Sequence, residues 1–157
     1  MNQIETPQSR CRFALAWGDI TPPANIYHRM WGAAKHERAT GVHRPLRATV
    51  AIFEAAEAAG TTQRQILLAL DHCILGAVEH GQLVAHIAQA TGQAAESILV
   101  VFSHTHGAGL MGLERASLPG GDLIPGYLRS VAECAAGLVK DALAKLAPAD
   151  ITYGHGR

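Results

Sequence analysis

The sequence is poor in cysteine and has no paired cysteine motif. Its three cysteines, Cys11, Cys73 and Cys134, are odd in number, lack CxxC spacing and lie among apolar residues. This pattern argues against a disulfide framework, which is typical of small secreted domains with an even set of cysteines. We therefore expect buried thiols and a reducing compartment.

Long apolar runs and clusters of positive charge are also missing. No stretch reaches the ~18 apolar residues of a membrane span, and residues 1–10 lack the apolar core of a signal peptide. Thirteen basic residues balance thirteen acidic ones without forming a basic stripe, so the charge pattern of a nucleic-acid-binding protein is lacking. We expect a soluble, cytoplasmic protein with no membrane span and no nucleic-acid partner.

Histidine is the residue type in excess, with nine copies in a chain of 157 residues. The length fits one domain, residues 1–157, with a sizeable core. Because the histidines are spread along the sequence, they can form a site only where the fold gathers them.

Apolar patterning predicts a three-layer α/β domain with a mostly parallel central sheet flanked by helices. Continuous apolar runs at 66–70 and 98–102 predict strands covered on both faces. Apolar residues at helical spacing over 77–90 predict the crossover between these strands, which should therefore be neighbours. A longer apolar stripe predicts a second helix over 127–146, ended by Pro148.

Weaker patterns predict the remaining elements. A short connection at 60–62 favours a hairpin, since it leaves no room for a helical crossover. Long irregular segments that carry aromatic or glycine residues are often functional. The predicted strands lie at 12–17, at 47–56 and from Ile151 onward, and the predicted loops over the site lie at 24–41 and 110–126.

The sequence SHTHG at 103–107 follows the predicted strand 98–102 directly. Strand side chains alternate, so His104 and His106 can share one side while Thr105 points away. Two imidazoles beyond the carboxyl end of a parallel strand make up part of a zinc ligand set. In the alternative interpretation, one or both imidazoles hydrogen-bond the backbone of the following loop.

Other polar residues are candidates for supporting roles in such a site. Asp71 ends the predicted strand 66–70 and could orient a ligating imidazole, although aspartate also fills turn and capping positions. His43 and His155 are further candidate ligands. His43 precedes Arg44-Pro45, where a structural role in the loop is the alternative.

Four blocks of sequence resemble the N-terminal part of the neutral/alkaline non-lysosomal ceramidase family. They are GDITPP at 18–23, TGVHRPL at 40–46, Leu70-Asp71 and SHTHG at 103–107. The resemblance implies a zinc-dependent hydrolase that cleaves the amide bond of N-acyl-sphingosine with a metal-bound water. It implies that His104 is a zinc ligand and that His106 is a catalytic residue that contacts the substrate or the attacking water.

The same resemblance implies that the site is incomplete in this chain. The other family ligands, a His, a Glu and a Tyr, would lie beyond residue 157, so the chain corresponds to the N-terminal portion of the catalytic domain. The family motif also continues with Ser-Gly-Pro, where this sequence has Gly107-Ala108-Gly109.

Two functional hypotheses follow from the sequence. The first is a hydrolase that uses Zn²⁺ to cleave amide bonds in small-molecule or lipid substrates of the ceramide type. The second is a catalytically inactive α/β module that binds a partner chain or forms a homo-oligomer through an unpaired sheet edge. Metal binding by the purified chain would discriminate between them.

Overall fold

The computed structural model describes residues 8–30, 32, 34–56 and 63–154. In these ranges the chain forms a mixed five-stranded sheet and two α-helices. The elements, in chain order, are β1 (Gln8–Asp19), β2 (Arg47–Ala55), β3 (Arg64–Leu70), α1 (Ala77–Thr91), β4 (Ile98–Phe102), α2 (Ile124–Ala144) and β5 (Ala147–Thr152). Neither helix is long and apolar enough to cross a membrane.

The strand order in the sheet is β4-β3-β2-β1-β5. The β3–β4 pair is parallel, and α1 connects the two strands as predicted. The other three pairs are antiparallel, so the prediction of a mostly parallel sheet is wrong. The short connection between β2 and β3 returns the chain in the opposite direction, whereas parallel pairing needs a long crossover. The turn predicted at 60–62 lies outside the described residues.

The core lies between the sheet and the two helices, which pack on the same face. Val50 and Ile52 of β2 are fully buried, in one cluster with Ile87 of α1 and with Ala135 and Val139 of α2. The opposite face has no helix over it in the described part of the chain. The prediction of three layers is therefore wrong, and the described fold has two.

Strand β4 differs from its predicted environment. It lies at an edge of the sheet, and its residues alternate between the core and the surface: Ile98 is 8% exposed and Leu99 is 60% exposed. A continuous apolar run fits a strand covered on both faces, but here the described helices cover only one. Strand β3 lies inside the sheet, as predicted.

The end of the described chain also departs from the sequence prediction. Helix α2 ends at Ala144, and β5 begins at Ala147, four residues before the predicted strand start. Strand β5 pairs only with β1, so Pro148 lies in an edge strand, where the missing backbone N–H is tolerated.

The segment between β1 and β2 packs against the segment between β4 and α2. The Tyr27 N–H donates to the carbonyl oxygen of Gly120 over 2.9 Å, and Tyr27 forms an isolated bridge with Arg38. Gly120 has a left-handed backbone at φ 81°, and Gly109 leaves no room for a side chain against Tyr27 and His28. These contacts hold both segments over the carboxyl ends of β3 and β4.

Candidate metal centre

The two histidines of the SHTHG sequence lie side by side just after β4. The Ser103 N–H donates to the Leu70 carbonyl oxygen over 3.0 Å, which continues the pairing with the β3 strand for one residue. His104 then adopts a left-handed backbone at φ 55°, which is uncommon for a residue other than glycine. The ring centroids of His104 and His106 lie 5.5 Å apart, and both side chains are exposed.

Cys73 joins the two histidines in one cluster. Its Sγ atom and one ring nitrogen of each of His104 and His106 all lie within 4.8 Å of one another. Cys73 lies three residues beyond the end of β3 and is buried. Because β3 and β4 are parallel neighbours, their carboxyl ends meet at one edge of the sheet, and this brings the thiol to the imidazoles.

From the sequence, Cys73 is predicted only to be a buried thiol. The signal that could have identified it is the register of the parallel pair. Leu70 pairs with Phe102, and Cys73, His104 and His106 follow these two positions by two to four residues. Sequence spacing alone does not reveal that register.

Cys73 and its neighbour in the sequence, His72, are both buried. Burial raises the pKa of the Cys73 thiol, so the thiol is protonated at neutral pH when no metal is bound. His72 is also buried, and it stacks on Tyr127 with ring centroids 6.1 Å apart. Burial lowers the pKa of His72 to about 4, an effect that the Ile74 backbone offsets only in part. Cys73 and His72 thus carry no charge at neutral pH when no metal is bound.

A cavity of about 620 Å³ lies on the other side of the SHTHG segment. Thr105 and Gly107 line it, whereas His104 and His106 do not. Its wall contains histidine, threonine, aspartate and arginine side chains together with apolar residues. The apolar residues are Pro22, Pro23, Ala39, Val42, Pro45 and Leu46.

A histidine pair fixes the wall of this cavity to the segment that follows the cluster. The Nδ1 atom of His28 and the Nε2 atom of His36 are 3.0 Å apart, and the two rings are stacked. The Nε2–H of His28 donates to the Gly107 carbonyl oxygen over 3.1 Å. In the neutral His28 ring, Nδ1 therefore accepts a hydrogen bond from the Nε2–H of His36. No pattern in the sequence indicates a role for either histidine.

The other predicted site residues lie apart from the cluster. Asp71 lines the cavity and accepts a hydrogen bond from the Arg47 backbone N–H over 3.1 Å, which favours its interpretation as a turn residue. His43 also lines the cavity. The structure brings His104 and His106 together with Cys73, and it places Asp71 and His43 at the neighbouring cavity. His155 lies outside the described residues.

Comparison with known proteins finds structures with a similar fold but no matching sequence family. No family model matches this sequence, and a search of curated protein sequences finds no significant match. The fold is similar to a crystal structure of neutral ceramidase from Pseudomonas aeruginosa, with a TM-score of 0.69 and 19% sequence identity. The match covers 92% of this chain and 23% of that protein.

A ceramidase structure described as complexed with C2 matches equally well. Its TM-score is 0.69 at 19% identity, and the match covers 92% of this chain and 22% of the ceramidase. The chain thus has a ceramidase-like fold and spans less than a quarter of the length of the ceramidases it matches.

Proposed function

We propose that this chain provides the metal-binding part of a zinc-dependent hydrolase that cleaves amide bonds in N-acylated, ceramide-like substrates. The observation that carries the proposal is the cluster of Cys73, His104 and His106 at the carboxyl end of the β3–β4 pair. It occurs in a chain whose fold is similar to part of a neutral ceramidase.

The chemistry of the cluster fits zinc. Thiolate sulfur and imidazole nitrogen are the usual protein ligands of Zn²⁺, whereas Mg²⁺ and Ca²⁺ prefer oxygen. In the proposal, His104 and Cys73 hold the metal. His104 does so from a left-handed backbone that points its ring toward the Cys73 thiol.

The residues around the metal have separate tasks in this proposal. A bound zinc ion would polarise the amide carbonyl and lower the pKa of a water molecule to roughly 7. His106 lies beside the ligands and is exposed, so its imidazole can accept a proton from the attacking water and return it to the leaving amine. The buried His72 behind the cluster stays neutral at pH 7 and adds no charge that would repel the cation.

The neighbouring cavity suits the acyl part of such a substrate. Its volume lies within the roughly 300–1,000 Å³ of small-molecule sites, and six of its sixteen lining residues are apolar. Thr105 lies on the cavity side of the SHTHG segment. It would face the acyl chain of the substrate near the amide bond.

Metal content and amide turnover of single variants test the proposal. The purified chain is loaded with zinc, freed of excess metal and compared with His104→Ala and with the control His43→Ala, which alters a histidine outside the cluster. We expect His104→Ala to lose zinc and His43→Ala to retain it. Equal zinc content in all three proteins would overturn the proposed ligand set.

Turnover is then measured with N-acyl amides of increasing acyl length. Because the chain spans less than a quarter of the ceramidases that it matches, we expect slow turnover that depends on zinc and on His106. Zinc binding without turnover of any N-acyl amide would support the metal site and contradict the hydrolase.

A further inference from the structure

His28 connects the segment before β2 to the SHTHG segment through a hydrogen bond. Its Nε2–H donates to the Gly107 carbonyl oxygen over 3.1 Å. The two residues are 79 positions apart in the sequence, so the fold and not local geometry brings them together. The bond ties the backbone that directly follows His106 to another part of the chain.

Backbone hydrogen bonds hold His28 and His36 next to each other. The His28 N–H donates to the Glu37 carbonyl oxygen over 2.8 Å, and Tyr27 forms a bridge with Arg38. The two imidazole rings stack with their centroids 5.3 Å apart. Because the main chain already fixes both residues, their side chains meet at a small cost in conformational entropy.

The His36 ring determines which nitrogen of His28 carries the hydrogen. The Nδ1 atom of His28 lies 3.0 Å from the Nε2 atom of His36. When the Nε2–H of His36 donates to this Nδ1, the neutral His28 ring carries its hydrogen on Nε2, facing the Gly107 carbonyl oxygen. The other tautomer would turn a lone pair toward that oxygen, and the two would repel. The pair thus keeps His28 in the form that binds Gly107.

The backbone around His106 is held at both ends of Gly107. The Gly107 N–H donates to the Thr105 Oγ1 atom over 3.1 Å, and the Gly107 carbonyl oxygen accepts from His28. A Cβ atom at Gly109 would lie 3.0 Å from the His28 Cα atom, so the chain stays close to His28 beyond the turn. These contacts fix the point from which the His106 imidazole extends.

We propose that His28 is a positioning residue for His106: through the Gly107 carbonyl it fixes the backbone from which the His106 imidazole reaches the metal cluster. The inference rests on the proposed function, in which His106 transfers the proton. A group that transfers a proton must lie about 2.6–3.2 Å from the atom that carries it. A misplacement of about 1 Å can lower a rate about 100-fold. In this role His28 acts through Gly107 and not through the substrate.

The first test compares His28→Phe with His28→Gln in the zinc-loaded 157-residue chain. Phenylalanine keeps a ring but has no donor, whereas glutamine can offer an amide N–H near the position of Nε2. We expect His28→Phe to lower kcat for an N-acyl amide about 10–100-fold, with KM and zinc content within about twofold of the unaltered chain. His28→Gln should recover most of kcat. A higher KM at unchanged kcat would overturn the proposal and make His28 a residue that contacts the acyl group.

His86→Phe is the matched control. It makes the same change at a histidine of α1 that belongs to neither the metal cluster nor the cavity wall, so turnover and zinc content should stay the same. His36→Phe removes the donor to the His28 Nδ1 atom and should lower kcat less than His28→Phe does, because water can replace that donor at an exposed position. Circular dichroism confirms that each variant is folded. An unchanged kcat in His28→Phe, or an equal loss in His86→Phe, would overturn the proposal.

Nuclear magnetic resonance of the zinc-free chain separates this proposal from the proposed function. With isotope-labelled histidine, at a pH that keeps the imidazoles neutral, we expect His28 and His36 both to carry their hydrogen on Nε2. His28→Phe should shift the ring signals of His106 and the amide signal of Gly107, and His28→Gln should shift them less. If these shifts occur but no N-acyl amide is turned over, the hydrolase is wrong and the positioning of His106 stands. His106 signals that are the same in all variants would overturn the positioning role.

Discussion

Leu70 and Phe102 are paired in parallel register at the last positions of β3 and β4. Every residue of the metal cluster follows one of these two positions within four residues. The pairing therefore fixes the distance between Cys73 and His104 through the backbone, not through long flexible side chains. A site built on paired strand ends holds its ligands more rigidly than one built on loops alone.

Replacing Cys73 should weaken zinc binding. We expect Cys73→Ala to bind zinc at least tenfold more weakly than the unaltered chain. Loss of a residue that only supports a ligand weakens metal binding about 10–100-fold, and loss of a ligand itself should weaken it at least as much. Cys134→Ala is the control, because its thiol lies near the Asp19 carbonyl oxygen, away from the cluster. Titration with a zinc indicator measures both affinities, and equal values would contradict a ligand role for Cys73.

The affinity for zinc should also rise with pH. Burial raises the pKa of the Cys73 thiol, so metal binding must displace its proton, and a lower proton concentration favours the complex.

We expect bound zinc to slow the reaction of Cys73 with a thiol reagent. A rate unaffected by zinc, measured in a variant in which Cys11 and Cys134 are serine, would contradict thiolate ligation.

His104 and His106 should differ in what their loss removes. His104→Ala should lose the metal, whereas His106→Ala should keep most of the zinc and lose turnover, because its proposed task is proton transfer. Metal analysis of the two variants alongside an N-acyl amide assay separates these roles. Equal loss of zinc in both would show that His106 is a third ligand.

The strands and the helix near the site could be predicted from the sequence, but the number of layers in the fold could not. The apolar runs of β3 and β4 and the helical spacing of α1 predicted the βαβ unit that carries the site. An apolar run does not say whether helices of the same chain cover both faces, so the exposure of Leu99 was missed.

The metal cluster was only partly predictable for a similar reason. His104 and His106 are close in sequence, so their proximity follows from local geometry. Cys73 is 31 residues away from His104 and joins them through the register of two strands, which no local pattern encodes. The pairing of His28 with His36 likewise depends on the fold of an irregular segment.

Glu54 should stabilise the fold in a pH-dependent way. Its carboxylate is covered by the guanidinium groups of Arg12, 2.5 Å away, and of Arg64. The hydrogen bond from Arg64 is the main cause that holds the pKa of Glu54 below its usual 4.5. Its contribution is therefore complete above about pH 4.5 and is lost as the pH falls through the lower, folded-state pKa.

Because Gln at position 54 can still hydrogen-bond but cannot pair its charge with Arg12 and Arg64, we expect Glu54→Gln to lower the free energy of unfolding by about 1–2 kcal/mol at pH 7. The loss should shrink in acid, where the native carboxylate is also protonated. Urea unfolding of both proteins at several pH values measures this. A difference that does not change with pH would contradict the assigned role of the charge.

Alanine substitutions at Gly120 and Gly92 should distinguish the cost of a left-handed backbone from the cost of a steric clash. Both have a left-handed backbone, at φ 81° and 68°. A Cβ atom at Gly92 would meet nothing within 4 Å, whereas at Gly120 it would overlap the Asn25 carbonyl oxygen and lie 2.8 Å from the Tyr27 nitrogen. Gly92→Ala should therefore cost only about 1 kcal/mol of unfolding free energy for the left-handed conformation.

Gly120→Ala should cost about 3 kcal/mol or more, because the backbone segments that it touches cannot move aside as a flexible side chain would. It should also displace Tyr27 and His28, and with them the hydrogen bond from His28 to Gly107. Thermal unfolding and zinc affinity are measured for both variants. We expect Gly120→Ala to impair both properties and Gly92→Ala to lower stability alone. Equal effects of the two substitutions would show that the metal cluster does not depend on the contact between the segment that contains Tyr27 and the segment that contains Gly120.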